Sequence, residues 1–171
     1  NVAINSDSVL TYDNDIFDAN LDDLCAKSAI ANFKFDESEY ADVSGEVKDS
    51  IGSFSGRAKL AQTVEGKVCQ ALDLSATGTK DYVVLDSNVL DNKNEFSISL
   101  WVKTAKTGTQ SILSGATSGS HNELLMWFTR DTTFRPYMHD SPATSLEISS
   151  IAGDTWKHLV WTHGDNKSCL F

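Results

Sequence analysis

The sequence predicts an all-β fold, an antiparallel β-sandwich, on three observations. The stretch 95–104, EFSISLWVKT, alternates Phe96, Ile98, Leu100 and Val102 with Ser97, Ser99, Trp101 and Lys103, so one face is apolar and the other mostly polar. Period-two alternation in a run of β-branched and aromatic residues is the pattern of a half-buried strand in an antiparallel sheet. About ten further short segments of this kind are separated by Gly, Ser, Asn and Asp turns. No stretch sustains a 3.6-residue apolar period over a dozen positions, so helix is a minor component.

Taken in order, residues 1–27 are irregular and acidic, with Asp7, Asp13, Asp15, Asp18, Asp22 and Asp23, and read as an acidic linker or N-terminal extension with one short strand over 8–12. An EF-hand loop begun at Asp13 fails, because Phe17 and Asp18 stand where an oxygen ligand and a glycine are needed. The domain proper is expected over 28–171. A strand over 29–35 (AIANFKF) ends in the acidic loop of Asp36, Glu37, Ser38 and Glu39, and 45–53 is a turn-rich crossover. Strands follow over 57–64 and 67–74 around a Glu65-Gly66 turn, then over 81–86, before the 95–104 strand. The rest are expected at 111–114, 123–129, 133–139, 145–149, 155–163 and from 168 onward. Trp101 on the polar face of its strand implies that this face is partly covered, with less than about half of the side chain in water.

With 171 residues, one domain with a sizeable core is expected. Subtracting 24 acidic from 14 basic side chains leaves −10, which argues against nucleic acid and anionic membrane as partners. No apolar run approaches the ~20 residues of a membrane span. The beginning, NVAINSDSVL, lacks the basic and apolar regions of a signal peptide and reads as a mature end or a fragment. Cys25, Cys69 and Cys169 have no metal-site spacing. In a cytosolic chain they would be buried thiols; in an exported one two would pair and leave one odd.

The order IANFKFDES, GEVKDSIGSFSGRA, GKVCQALDLSATGTKDYVVLD, FSISLWVKT, SILSG, ELLMWFT and WKHLVWTHGDNKSCLF resembles a laminin-G-like domain of the concanavalin A-like lectin/glucanase group, over about residues 25–171. Within that group it is similar to the lectin-like domains of pilus-associated bacterial proteins. The resemblance implies a jelly roll with one concave sheet, of the kind lectins use to hold glycans, lacking here its last strands. It implies a recognition module placed outside the cytoplasm of a Gram-negative bacterium, with carbohydrate, a cell-surface protein or other pilus components as partners. A structural or protein-interaction module of pilus assembly, binding no sugar, is the alternative.

A hydrolase is disfavoured, and the chain is expected not to be an enzyme. The glucanases of this group carry their carboxylates on one strand as Glu-x-Asp-x-x-Glu, and no such pattern occurs. No Gly-x-Ser-x-Gly elbow is present either, and His121, His139, His158 and His163 are scattered, with His158 expected as a packing residue. The resemblance allows a calcium ion, with Asp49 in VKDSIG and Asp36 as ligands, although Ile51-Gly52-Ser53 replaces the more usual Ser-Gly-Asn; a turn-capping Asp49 is the other reading. It also implies a Cys25–Cys69 disulfide, since the two strands run close together in the family, with Cys169 left odd. For ligand binding, Trp127 lies on one face of its strand, and Arg135, Tyr137 and His139 share a face of the next. Those four make the candidate glycan patch, the alternative being that the aromatics are core. Trp156 and Trp161 are expected in the core.

Overall fold

The computed structural model describes residues 29–75, 81–105, 108–116, 123–129, 133–139, 146–151, 153–164 and 167–171. The extension at 1–27, and with it the short strand expected at 8–12, lies outside the described residues. The described residues are all-β: strands β1 (Val47–Lys48), β2 (Ser55–Lys59), β3 (Gln62–Glu65), β4 (Gln70–Asp73), β5 (Tyr82–Leu85), β6 (Phe96–Val102), β7 (Gln110–Gly115), β8 (Leu124–Phe128), β9 (Phe134–Met138), β10 (Lys157–Gly164) and β11 (Lys167–Leu170). All pairings are antiparallel, and the chain divides into two compact units at Asp91 and Asn92.

The first unit holds a three-stranded sheet, β1-β2-β5, and the β3-β4 hairpin. Val47, Ala58 and Ala61 form its buried centre, with Phe33, Phe35, Tyr40, Leu72 and Val83 packed against them. The expected strand over 57–64 is broken at Leu60, whose φ of 55° turns the chain between β2 and β3. The strand expected over 29–35 is reduced to one bridge, Phe33 to Asp49, because Phe35 takes a φ of 58° and leaves the extended region. The hairpin closes with the Gly66 amide donating to the Cys69 carbonyl at 3.0 Å. Only glycine fits there, since a Cβ on Gly66 would stand 2.5 Å from the Gln70 carbonyl oxygen.

The second unit is a sandwich of two three-stranded sheets, β11-β10-β6 and β7-β8-β9. The register of β6 on β10 sets Leu100 opposite Leu159, Ile98 opposite Trp161 and Phe96 opposite His163, so the apolar stripe of β6 faces inward. It packs with Leu159 and Trp161 onto Met126, Phe128 and Phe134 of the other sheet. Phe96 meets Trp161 edge-on, with centroids 5.1 Å apart. The stripe residues are partly buried, while Trp161, Phe134 and Met126 are the closed centre. Trp156 is only half-buried, with the Lys103 ammonium 5.8 Å above its ring. Of the strand expected over 145–149, the described residues 146–149 show one bridge, Ile148 to Phe134, alongside β9.

Candidate ligand-binding face

Alternation along β8 and β9 decides which side chains share a surface. Leu124, Met126, Phe128, Phe134 and Met138 pack into the sandwich, so Leu125, which is buried, and Trp127, Arg135 and Tyr137 lie on the opposite face of β7-β8-β9. The register sets Trp127 directly across from Arg135 and Leu125 across from Tyr137. His139 follows at the end of β9, its amide donating to the Glu123 carbonyl at 2.9 Å. Trp127, Arg135 and Tyr137 are therefore brought together as the sequence suggested, with His139 at the margin. Trp127 is half-buried, and its indole Nε1–H is covered with no acceptor among the described residues.

Sequence reasoning missed Glu147. The Phe134 amide donates to the Ile148 carbonyl at 2.9 Å and the Ile148 amide returns the bond at 3.1 Å, which lays this segment beside β9. The Arg135 Nε then donates to Glu147 Oε2 at 2.8 Å, and its Nη2 bonds the same oxygen. Both side chains are a little under half exposed. Only the bridge between Ile148 and Phe134 could have paired them, and a single bridge leaves no periodic signal.

The acidic segment of the first unit does different work. Asp49 Oδ1 accepts from the Asn32 amide at 2.8 Å and the Ile51 amide at 3.1 Å, and Oδ2 accepts from the Gly52 amide at 3.1 Å. Partial burial pushes the Asp49 pKa up, but the amides of Asn32, Ile51, Gly52 and Phe54 outweigh it and hold the carboxyl below its ordinary range. Asp36 is engaged elsewhere, by the Gln70 amide at 3.1 Å. A calcium ion asks for roughly six to eight oxygens around it. Asp49 instead faces positive N–H groups, and among the described residues no three His, Cys, Asp or Glu gather as a metal would need. The donor set around Asp49 is that of a turn cap.

Neighbouring carboxylates act in the same way, so the loop at Asp36 to Glu39 is not merely solvated. Glu37 accepts from the Lys48 amide at 3.0 Å and the Tyr40 hydroxyl at 2.9 Å, and Glu46 from the amides of Ala41 at 2.6 Å and Ala58 at 2.8 Å. Asp86 accepts from the hydroxyls of Ser55 at 2.7 Å and Ser44 at 3.0 Å. Those two hydroxyls, Ser55 first, lower the Asp86 pKa. Burial, followed by the Glu37 hydrogen bond and nearby acids, raises that of Tyr40 far above the ordinary phenol.

Cys69 carries an exposed free thiol at a φ of 53° in the β3-β4 turn, and Cys25, its expected partner, lies outside the described residues. Cys169 is also free and exposed, on β11. His158 stacks on Trp101, with centroids 4.9 Å apart and planes 25° from parallel, and its Nε2 lies 2.8 Å from Ser99 Oγ. It is a packing residue, and Trp101 is 38% exposed, within the limit its position implied. No helix among the described residues is long and apolar enough to cross a membrane.

Against known proteins, a laminin G family model, described as the concanavalin A-like lectin/glucanases superfamily, matches residues 77–171. No curated protein matches, so the pilus-associated relatives suggested by the sequence are not among the findings. No solved structure matches either. The family match spans more than half of the chain and the whole sandwich of the second unit, and the chain belongs to the concanavalin A-like lectin/glucanases superfamily.

Proposed function

We propose that this chain is a non-catalytic recognition module that binds carbohydrate through the β7-β8-β9 face bearing Trp127, Arg135, Tyr137 and His139. The observation that carries this reading is the register that sets Trp127 across from Arg135 and two pairs along from Tyr137, on the same face. Aromatic ring faces suit the C–H surface of a sugar, and a guanidinium beside them donates to its hydroxyls. A carboxylate at this face, Glu147, is tied to Arg135, an arrangement for holding a ligand rather than for protonating a leaving group. The reading includes a place outside the cytoplasm of a Gram-negative bacterium, on a pilus-associated protein. It rests there on the order of motifs in the chain.

A glycan array probed with the full chain tests it, with Trp127→Ala and Arg135→Ala beside the parent, and with calcium and EDTA arms. Selective retention that both variants lose by about tenfold or more is the expected result. No retention of any glycan would turn the assignment toward a protein-binding module of pilus assembly. Release of fragments from a polysaccharide would turn it toward a hydrolase.

A further inference from the structure

We infer that the face selects neutral saccharides over acidic ones, and that Glu147 is the residue that sets this preference; the inference rests on the carbohydrate reading just proposed. An arginine alone on a sheet face beside a tryptophan would be an attractive seat for a uronate, sialate or sulfate, because a guanidinium forks onto such groups. Here the Nε/Nη2 edge of the guanidinium is taken and its charge is paired. Nε and Nη2 of Arg135 both donate to one oxygen of Glu147, Oε2. The pairing is built in by the backbone, since the bridge between Phe134 and Ile148 places residues 135 and 147 side by side.

What remains on each partner is a free donor or acceptor. Arg135 keeps the second N–H of Nη2 and both N–H groups of Nη1, and Glu147 keeps Oε1, which takes no hydrogen bond among the described residues. Two adjacent sugar hydroxyls match that pair, one accepting from the guanidinium and the other donating to the carboxylate. An anionic sugar would lose the guanidinium to Glu147 and meet a like charge at Oε1, on a chain already at −10. The ion pair is exposed, so the discrimination is modest rather than absolute.

The test uses the full chain with matched oligosaccharides, neutral and carboxylated on the same backbone, at physiological ionic strength, with Glu147→Gln as the variant. Circular dichroism and melting temperature show that the variant keeps its fold, as an exposed side chain should allow. The parent is expected to bind the neutral member about tenfold more tightly than the acidic one, and Glu147→Gln to narrow or reverse that ratio mainly by strengthening the acidic member. Equal or tighter binding of the acidic member by the parent, or a ratio unmoved by Glu147→Gln, overturns this inference and leaves the carbohydrate reading standing. Failure of the parent to bind either member overturns both.

Discussion

The Gly52 amide donates to the Asp49 carboxylate at 3.1 Å, and a Cβ built on Gly52 would stand 2.6 Å from that same oxygen. The turn that follows β1 thus depends on one residue to accept and another to stay out of the way. Asp49→Ala is expected to cost about 1–2 kcal/mol, as the loss of a side-chain cap does. Gly52→Ala should be at least as harmful, because the carboxylate must leave its amides to make room. Urea denaturation of the two variants checks both.

Because amides already surround Asp49, calcium and EDTA should leave the melting temperature unchanged. An ion bound only by the folded state would raise it by mass action. A shift of several degrees on chelation, lost in Asp49→Asn, would restore the metal.

Acid should weaken the first unit through the same contacts. The folded-state pKa values of Asp49 and Asp86 lie below their unfolded values. Their contribution is therefore fully present above the unfolded carboxylate pKa, near ~4, and is lost as pH falls through the folded values. Tyr40 has the opposite sign: its folded pKa is raised, so its contribution is present below the unfolded value and fades as pH climbs past it. Stability should be flat around neutrality and fall toward both extremes. The acid limb should be shallower in the Asp49→Asn, Asp86→Asn double variant; an identical slope would show that these two carboxylates carry none of it.

Trp127 and Trp161 both bury an indole N–H without an acceptor among the described residues, yet their replacements should differ. Trp161 is 1% exposed at the centre of the sandwich, so Trp161→Phe opens a void and should cost about 1–3 kcal/mol. Trp127→Phe removes an unsatisfied donor from a half-buried ring, which should leave stability within ~1 kcal/mol of the parent or above it. Thermal denaturation of the pair decides, and a severe loss in Trp127→Phe would mean that its N–H has a partner after all.

The strands that were plain in the sequence are those whose partners impose a period. β6 could be read from Phe96, Ile98, Leu100 and Val102 alone, because each inward residue meets another across the register or the sandwich. β1 could not, since two residues carry no period. Leu60 and Phe35 take positive φ inside runs that look extended, and neither side chain announces it. The acids were the larger omission: Glu37 and Glu46 reach Lys48 and Ala58, 11 and 12 positions away, and composition alone makes such residues look solvated. The patch was found because it needed only alternation on two adjacent strands. Glu147, the acid paired with Arg135, was not, because it needed the bridge from Ile148 to Phe134.

The second unit presents another aromatic surface, on its other sheet. Trp101 and His158 are cross-strand neighbours on β6 and β10, opposite in register and stacked at 4.9 Å, with Ser99 hydrogen-bonded to the imidazole. They lie on the side of β11-β10-β6 away from Leu100 and Leu159, whereas Trp127 lies on the other sheet. Ring packs on ring in this stack, and its contribution is to stability. His158→Ala should cost about 0.5–1.5 kcal/mol, the worth of an aromatic pair beyond its buried area, and should shift tryptophan fluorescence to the red as Trp101 enters water. Glycan retention should survive it, and survive Trp101→Ala, while Trp127→Ala removes it. The reverse outcome, with binding lost in Trp101→Ala and kept in Trp127→Ala, would move the recognition face from β7-β8-β9 to β11-β10-β6.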